Sequence, residues 1–426
     1  MLKNTLISIA FILFTCHLFA QSNTASPYSF YGIGEQKSAL TISQRATGGI
    51  QNLTIDNNIS LLNPAMGAGM SETSFQLGFT SSSVNIQSVD NSHRENFTNL
   101  SYLMISVPVT SKIAFNFGLL PFSSVNYESR TESFESDAVT LDETTTLSGE
   151  GGTSKVFLAA GYEPLKNLKI GIQGGYVFGN VKNTESVVST DSNVLPTLYE
   201  HNNRLGGFSL ISGIHYDKEF ENEWIVKYGM SVEHQQKLDA NIQKKLASLN
   251  SSREVQVIRD EQSKGSFEIP TTFSAGIGIG KKKKWFVGTD FSTRDKIDIS
   301  ADFYKANTNE SYTSYSKFSI GGFYTPKRRG QTNFWRKITY RMGARFINTG
   351  LQVDANNDGL NFEEIKDNAF TFGFGLPVGR KSSNLDLGFE IGQRGSTDNG
   401  MIEENYFNAM VGITLNDRWF KKREIF

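Results

Sequence analysis

Cysteine is almost absent from this chain of 426 residues: the single one, Cys16, lies in the first twenty residues. Those twenty read as a secretory signal, with Lys3 as the positive n-region, Leu6 to Leu18 as the apolar stretch and Ala20 as the small residue before Gln21. A lipidated Cys16 is the rival reading, disfavoured because Phe14 and Thr15 are poor residues before a lipid-bearing cysteine. Once the signal is removed, neither a disulfide nor a cysteine-based metal site is left. Charge excess is missing too. Lys plus Arg number 42 against 43 Asp plus Glu, which argues against a nucleic-acid partner. Beyond residue 20 no apolar run approaches the ~20 residues of a spanning helix, in line with a mean hydropathy of -0.32. Proline is scarce, at 9.

What is plentiful is aromatic and small: 32 Phe, 15 Tyr and 39 Gly. That mixture suits strands with greasy outer faces and small inward positions. The alternation supports it. Phe370, Phe372, Phe374 and Leu376 share one face while Thr371, Gly373 and Gly375 share the other. Leu385, Leu387, Phe389 and Ile391 alternate with Asp386, Gly388, Glu390 and Gly392, and Phe407 to Leu415 repeats the pattern. A period of two with apolar-out and polar-in is what a strand in lipid needs. The same dyad recurs at residues 75–79, 113–119, 156–162, 168–176, 208–216, 224–232, 273–280, 285–291, 318–324 and 338–346. Leu100 to Val107 is apolar on both faces and reads as a strand without an assignable register. The expectation is an all-β transmembrane antiparallel barrel of about 14 strands.

Connections alternate in length. Short links at 108–112, 163–168, 217–223, 280–285 and 378–385 would face the periplasm, with both termini on that side. The polar stretches 125–150, 180–204, 235–265 and 293–312 would be external loops or strand extensions. The link 326–337 is long where a turn is expected, with room for a small helix.

Residues 26–70 lack the alternation. There Asp56-Asn57-Asn58-Ile59-Ser60-Leu61-Leu62-Asn63-Pro64-Ala65-Met66 resembles the N-terminal signature of the FadL-type long-chain fatty-acid transporter family, whose hatch ends in Asn-Pro-Ala before the first strand. Phe117-Gly118-Leu119-Leu120-Pro121-Phe122 is similar to a Pro-Phe motif on that family's third strand. Pro27 to Gly34 and Asn416 to Arg423 look like a Bacteroidota-type branch. The resemblance implies a signal peptide over 1–20, a hatch over 21–70 lodged in the lumen and an outer-membrane barrel over 71–426. It further implies passive uptake of hydrophobic small molecules such as long-chain fatty acids, with Asn63, Pro64 and Ala65 gating the hatch and a lateral opening at Pro121 and Phe122. A proline donates no ladder hydrogen bond and can loosen a barrel wall, or it can sit harmlessly near a strand's end.

Charges expected inward are Lys169, Lys227, Glu233, Asp290, Arg341, Arg345, Asp386 and Glu390. They would either pair across the lumen and hold the hatch, or line a polar path. Asp354 to Gly359 opens like a calcium loop, yet Ile365 stands where a bidentate Glu belongs, so a hairpin turn is the better reading. The basic clusters Lys281 to Lys284, Lys327 to Arg329 and Lys421 to Arg423 would anchor to lipid headgroups or dock a partner. The histidines at 17, 93, 201, 215 and 234 form no metal spacing, and no Gly-x-Ser-x-Gly elbow occurs. No enzyme, metal or cofactor is therefore expected. The expected partners are outer-membrane lipid and a hydrophobic ligand. The alternative is a non-transporting accessory subunit of an envelope or secretion assembly, which would bring a partner protein.

Overall fold

The computed structural model describes residues 24–417 apart from 25, 54–58, 90, 134–142, 190, 192–193, 250–254, 301–308, 327–332, 357–358 and 379–382. The signal segment, Asp56 to Asn58, Lys327 to Arg329 and Lys421 to Arg423 lie outside the described residues.

One antiparallel sheet closes on itself. Its strands are β1 (Thr73–Gln87), β2 (Ser92–Pro108), β3 (Ile113–Ser133), β4 (Glu143–Leu165), β5 (Leu168–Ser189), β6 (Thr197–Glu219) and β7 (Trp224–Glu233, continued by Gln236–Leu249). Then follow β8 (Val255–Ile269, continued by Thr272–Lys281), β9 (Trp285–Arg294, continued by Asp298–Ile299) and β10 (Glu310–Tyr312, continued by Tyr315–Tyr324). The circuit ends with β11 (Thr339–Val353), β12 (Glu363–Val378), β13 (Ser383–Arg394) and β14 (Glu403–Asp417). Strand β14 pairs with β1 from Asp417↔Thr73 to Glu403↔Gln87 and shuts the barrel. Fourteen strands is the expected number.

The alternation read from sequence is the alternation of the wall. Phe370, Phe407, Ile391, Phe208, Met342 and Phe117 are exposed on the outside, while Thr371, Gly373, Glu390, Asn408 and Met410 are buried inside. An outward apolar belt around a sheet closed on itself is how a β-protein satisfies its backbone groups in lipid, and here the ladder is interrupted only between the upper parts of β2 and β3 among the described residues. The short turns gather at one end. At the other, the described parts of the polar stretches are largely strand extensions: β3 to β6 run 21 to 23 residues each.

Strand β2 resisted a register for a specific reason. Gly78 faces Tyr102 but Phe79 faces Leu100, so Ser101 is a bulge that shifts the phase of the strand. Below it Tyr102, Met104 and Ser106 are buried; above it the parity changes.

The N-terminal segment lies inside the barrel. Ile42, Ile50, Leu53, Ile59, Leu61 and Ala65 are each at most 1% exposed. A one-turn helix, Ile42–Arg45, starts at a capping box in which Thr41 Oγ1 accepts from Gln44 N and Gln44 Oε1 accepts from Thr41 N. This plug needs small inward residues on the wall. A Cβ on Gly229 would lie 1.9 Å from the carbonyl oxygen of Asn52, and one on Gly213 would lie 2.2 Å from Asn63 Oδ1.

Candidate functional site

Asn63 is the peg of the plug. Fully buried, it caps the short turn Pro64–Gly67 by accepting from Ala65 N at 3.2 Å. Its amide donates to Asn52 Oδ1 at 3.1 Å and to the carbonyls of Ile214 and Met230, both at 3.2 Å. One side chain thus ties two loops of the N-terminal segment to β6 and β7. Pro64 follows at N1, where a missing N–H costs nothing, and Pro64 and Ala65 rest on the bare backbone of Gly171.

The inward charges fall into groups. Arg341 Nη1 lies 2.8 Å from Asp386 Oδ1, and both side chains are almost wholly buried. Arg345 Nη2 meets Asp367 Oδ2 at 3.4 Å, Glu390 Oε1 at 3.3 Å and the Tyr406 hydroxyl at 2.7 Å. From the N-terminal segment, Arg45 reaches Glu390 at 3.1 Å and Thr80 at 3.0 Å, and Asn408 also donates to Glu390. Arg394 completes the group, meeting Asp367 at 3.2 Å, Glu404 at 3.4 Å and Glu35 of the N-terminal segment at 3.0 Å. Glu35 in turn holds Lys37 at 2.6 Å. Burial would push the Glu35 carboxyl up, but Lys37 and Arg394 together hold it below the usual carboxylate range. Such a network stabilises its members only jointly, because removing one partner strands a buried charge.

The remaining inward charges are spread around the wall. Asp290 accepts from Asn52 N at 3.0 Å, Lys169 stands 3.7 Å from Asp217, and Lys227 lies over the Phe286 ring. Sequence reasoning missed Lys155, Lys317, Asp367 and Glu404, all buried, and the half-buried Arg394, whose side chain also turns inward. Asp367 and Arg394 keep the inward parity of Thr371 and Glu390, just past the apolar stretches on which strands were recognised.

Pro121 and Phe122 sit at a break in the wall. Strands β2 and β3 pair only from Pro108↔Ala114 to Leu103↔Leu119. Above that point, among the described residues, no register pair joins them, although β2 continues on β1 and β3 on β4. The β3–β4 ladder also slips a residue between Pro121 and Ser123. The N-terminal segment takes the vacant edge of β3: Glu35 and Gln36 pair with Ser124 and Ser123, and Lys37 N donates to the carbonyl of Phe122 at 2.9 Å.

Behind the seam lies a cavity of about 770 Å³. Leu100, Leu119, Leu120, Pro121 and Phe122 line it at the seam, and Glu35, Arg345, Asp367, Glu390 and Arg394 of the charged network also line it. Lys155, 4% exposed, faces it without a hydrogen bond or ion pair to any described residue. Asp354, which opens the calcium-like loop, accepts from Gly359 N at 2.6 Å in a turn between β11 and β12. Asn357 and Asp358 lie outside the described residues, and among those described no metal-ligating cluster forms.

A family model described as BamG matches residues 1–425. No curated protein matches the sequence. Among solved structures, the CymD monoaromatic hydrocarbon channel matches with a TM-score of 0.59 at 12% identity, over 91% of this chain and 100% of that one. The Ralstonia pickettii toluene transporter TbuX gives 0.56 at 14%, over 88% and 98%. A Pseudomonas aeruginosa FadL homologue gives 0.57 at 9%, over 90% and 98%. The fold is therefore the FadL-type barrel fold of hydrophobic-compound channels.

Proposed function

The chain belongs to the BamG family, and we propose that it is an outer-membrane barrel that admits hydrophobic small molecules and releases them sideways into lipid through the β2–β3 seam. The carrying observation is the coincidence of three features: an unpaired seam above Leu103 and Leu119, a proline beside it, and a cavity directly behind. A ladder that lacks its hydrogen bonds is the part of a barrel wall that opens at least cost. In this reading the short turns face the periplasm and the long strands face outward. The cavity suits an amphipathic guest such as a long-chain fatty acid, with its chain against Leu100, Leu119 and Phe122 and its carboxylate toward Lys155. Asn63, Pro64 and Ala65 hold the hatch, and the Glu35–Gln36 pair closes the seam.

A second reading is supported by the ion network, which pins the hatch to β11–β14 through buried charges. A plug so held suits a barrel that transports nothing and serves as an accessory subunit of an envelope or secretion assembly. The two readings part under lipid mass spectrometry of barrel purified in mild detergent. Co-purifying fatty acids or other hydrophobic ligands, depleted when Asn63, Pro64 and Ala65 are all replaced, support the conduit. An empty barrel that brings down a stoichiometric protein supports the accessory role.

A further inference from the structure

Outward-facing side chains at the short-turn end form a row of neighbours across β7 to β12. Trp224 is the register partner of Lys281, Lys281 of Trp285, Trp285 of Tyr324, Tyr324 of Tyr340 and Tyr340 of Phe374. The rings touch: Trp224 and Trp285 meet edge to face at 5.5 Å, Tyr340 and Phe374 at 5.9 Å, and the Lys281 ammonium lies 5.8 Å from the Trp224 ring centre. Beneath the row hang two turns. One is the tight Lys282–Lys284 turn between β8 and β9. The other is the turn Phe334–Lys337 before β11, whose Trp335 is 71% and Phe334 53% exposed. Three hydrogen bonds fasten the turns of this rim to their neighbours: Lys282 N donates to the carbonyl of Glu223 at 2.9 Å, Thr325 N to the carbonyl of Lys284 at 2.7 Å, and the Tyr340 hydroxyl to the carbonyl of Trp335 at 3.1 Å.

The charges of this rim are only partly answered. Lys282 pairs with Glu219, while Lys283, Lys284, Arg336 and Lys337 make no ion pair with a described residue. All three described tryptophans belong to this sector, and on the opposite arc, β14 through β5, the row of indoles has no counterpart among the described residues. An apolar row continuous with the lipid belt, edged by cations, matches the boundary between acyl chains and phosphate.

We propose that the β7–β12 sector binds anionic phospholipid at the short-turn face of the membrane, with the phosphate held by Lys283, Lys284, Arg336 and Lys337. Trp335 and Phe334 enter the same leaflet and fix the barrel's depth on that side. Two features recommend lipid over a protein partner: the row runs without a break into the belt, and on the two turns beneath it the charges without an ion pair are all cationic, the exposed Glu221 and Glu223 belonging to the neighbouring β6–β7 turn.

The tryptophans supply the readout. In a Trp419→Phe background, full-length barrel is reconstituted into bilayers with brominated phosphatidylglycerol or brominated phosphatidylcholine, and quenching of indole fluorescence gives the relative association of each lipid. The expected result is about a fivefold preference for the glycerol lipid, equivalent to about 1 kcal/mol. Replacing Lys283, Lys284, Arg336 and Lys337 with Gln brings the ratio near one, with the barrel's heat-modifiable gel shift unchanged. Equal quenching by both lipids in the parent barrel overturns the proposal, as does a preference that survives the four replacements. Indoles shielded from both lipids overturn it in favour of a protein covering the sector.

Discussion

Two arcs of the same wall solve the problem of holding a plug in opposite ways. From β11 to β14 every strand is paired with its neighbours over most of its length, and the inward positions carry charges that reach across to Arg45 and Glu35. From β2 to β3 the ladder stops after six register pairs, and the hatch is held by a two-residue strand on the free edge. Charges anchor where the wall is closed, and replaceable backbone hydrogen bonds serve where it is open. A buried ion network resists partial loss because each member is stranded without the others. A short edge pairing can be lost and remade, since the groups it frees can find water or a guest.

The contrast should break most severely at Arg345. Replacing it with alanine leaves Asp367 and Glu390 short of a cation inside the barrel, at a cost of about 3–5 kcal/mol. The expected outcome is loss of the compact band on unboiled gels at a markedly lower temperature than for the parent. Next in size is Gly213→Leu, whose side chain would occupy the place of Asn63. Overpacking there costs about 1–3 kcal/mol, and limited proteolysis should release the hatch while the barrel stays heat-modifiable.

Smaller still is Glu35→Gln, which sharpens the comparison through pH. Because the folded pKa of Glu35 is depressed, its contribution is present above the unfolded value and is lost as pH falls below about 4. Protease access to the hatch should therefore rise in the variant at pH 7, by the equivalent of about 1 kcal/mol, and converge with the parent in acid. Pro121→Ala should have the least effect on stability, within about 0.5 kcal/mol. It restores a donor at the seam, and uptake of a labelled fatty acid should slow while thermal stability holds.

The barrel was legible because lipid imposes period two so strictly that Phe370 to Leu376 and Leu385 to Gly392 declare their faces unaided. Asn63, Pro64 and Ala65 stand out in the sequence as a motif, and in the fold Asn63 accepts from Ala65 N and donates to the carbonyls of Ile214 and Met230. Less could be read where a local event broke the period, as the bulge at Ser101 did on β2. Asp367, Arg394 and Lys155 escaped because the strands were traced only as far as their apolar outer faces ran, whereas the ladders continue above the belt. The pairing of Glu35 and Gln36 with β3 left no local sign at all. Two residues carry no periodicity, and their place depends on an edge 87 positions away in sequence that only closure of the barrel exposes.

That pairing also offers the most direct test of the account. Gln36 and Ser123 are register partners on antiparallel segments, close enough for a disulfide, and the chain holds no other cysteine after residue 16. With Gln36→Cys and Ser123→Cys, uptake of a labelled long-chain fatty acid into cells carrying the barrel should fall on oxidation and return on reduction. Uptake that is unaffected by a quantitatively formed crosslink would contradict release through the β2–β3 seam.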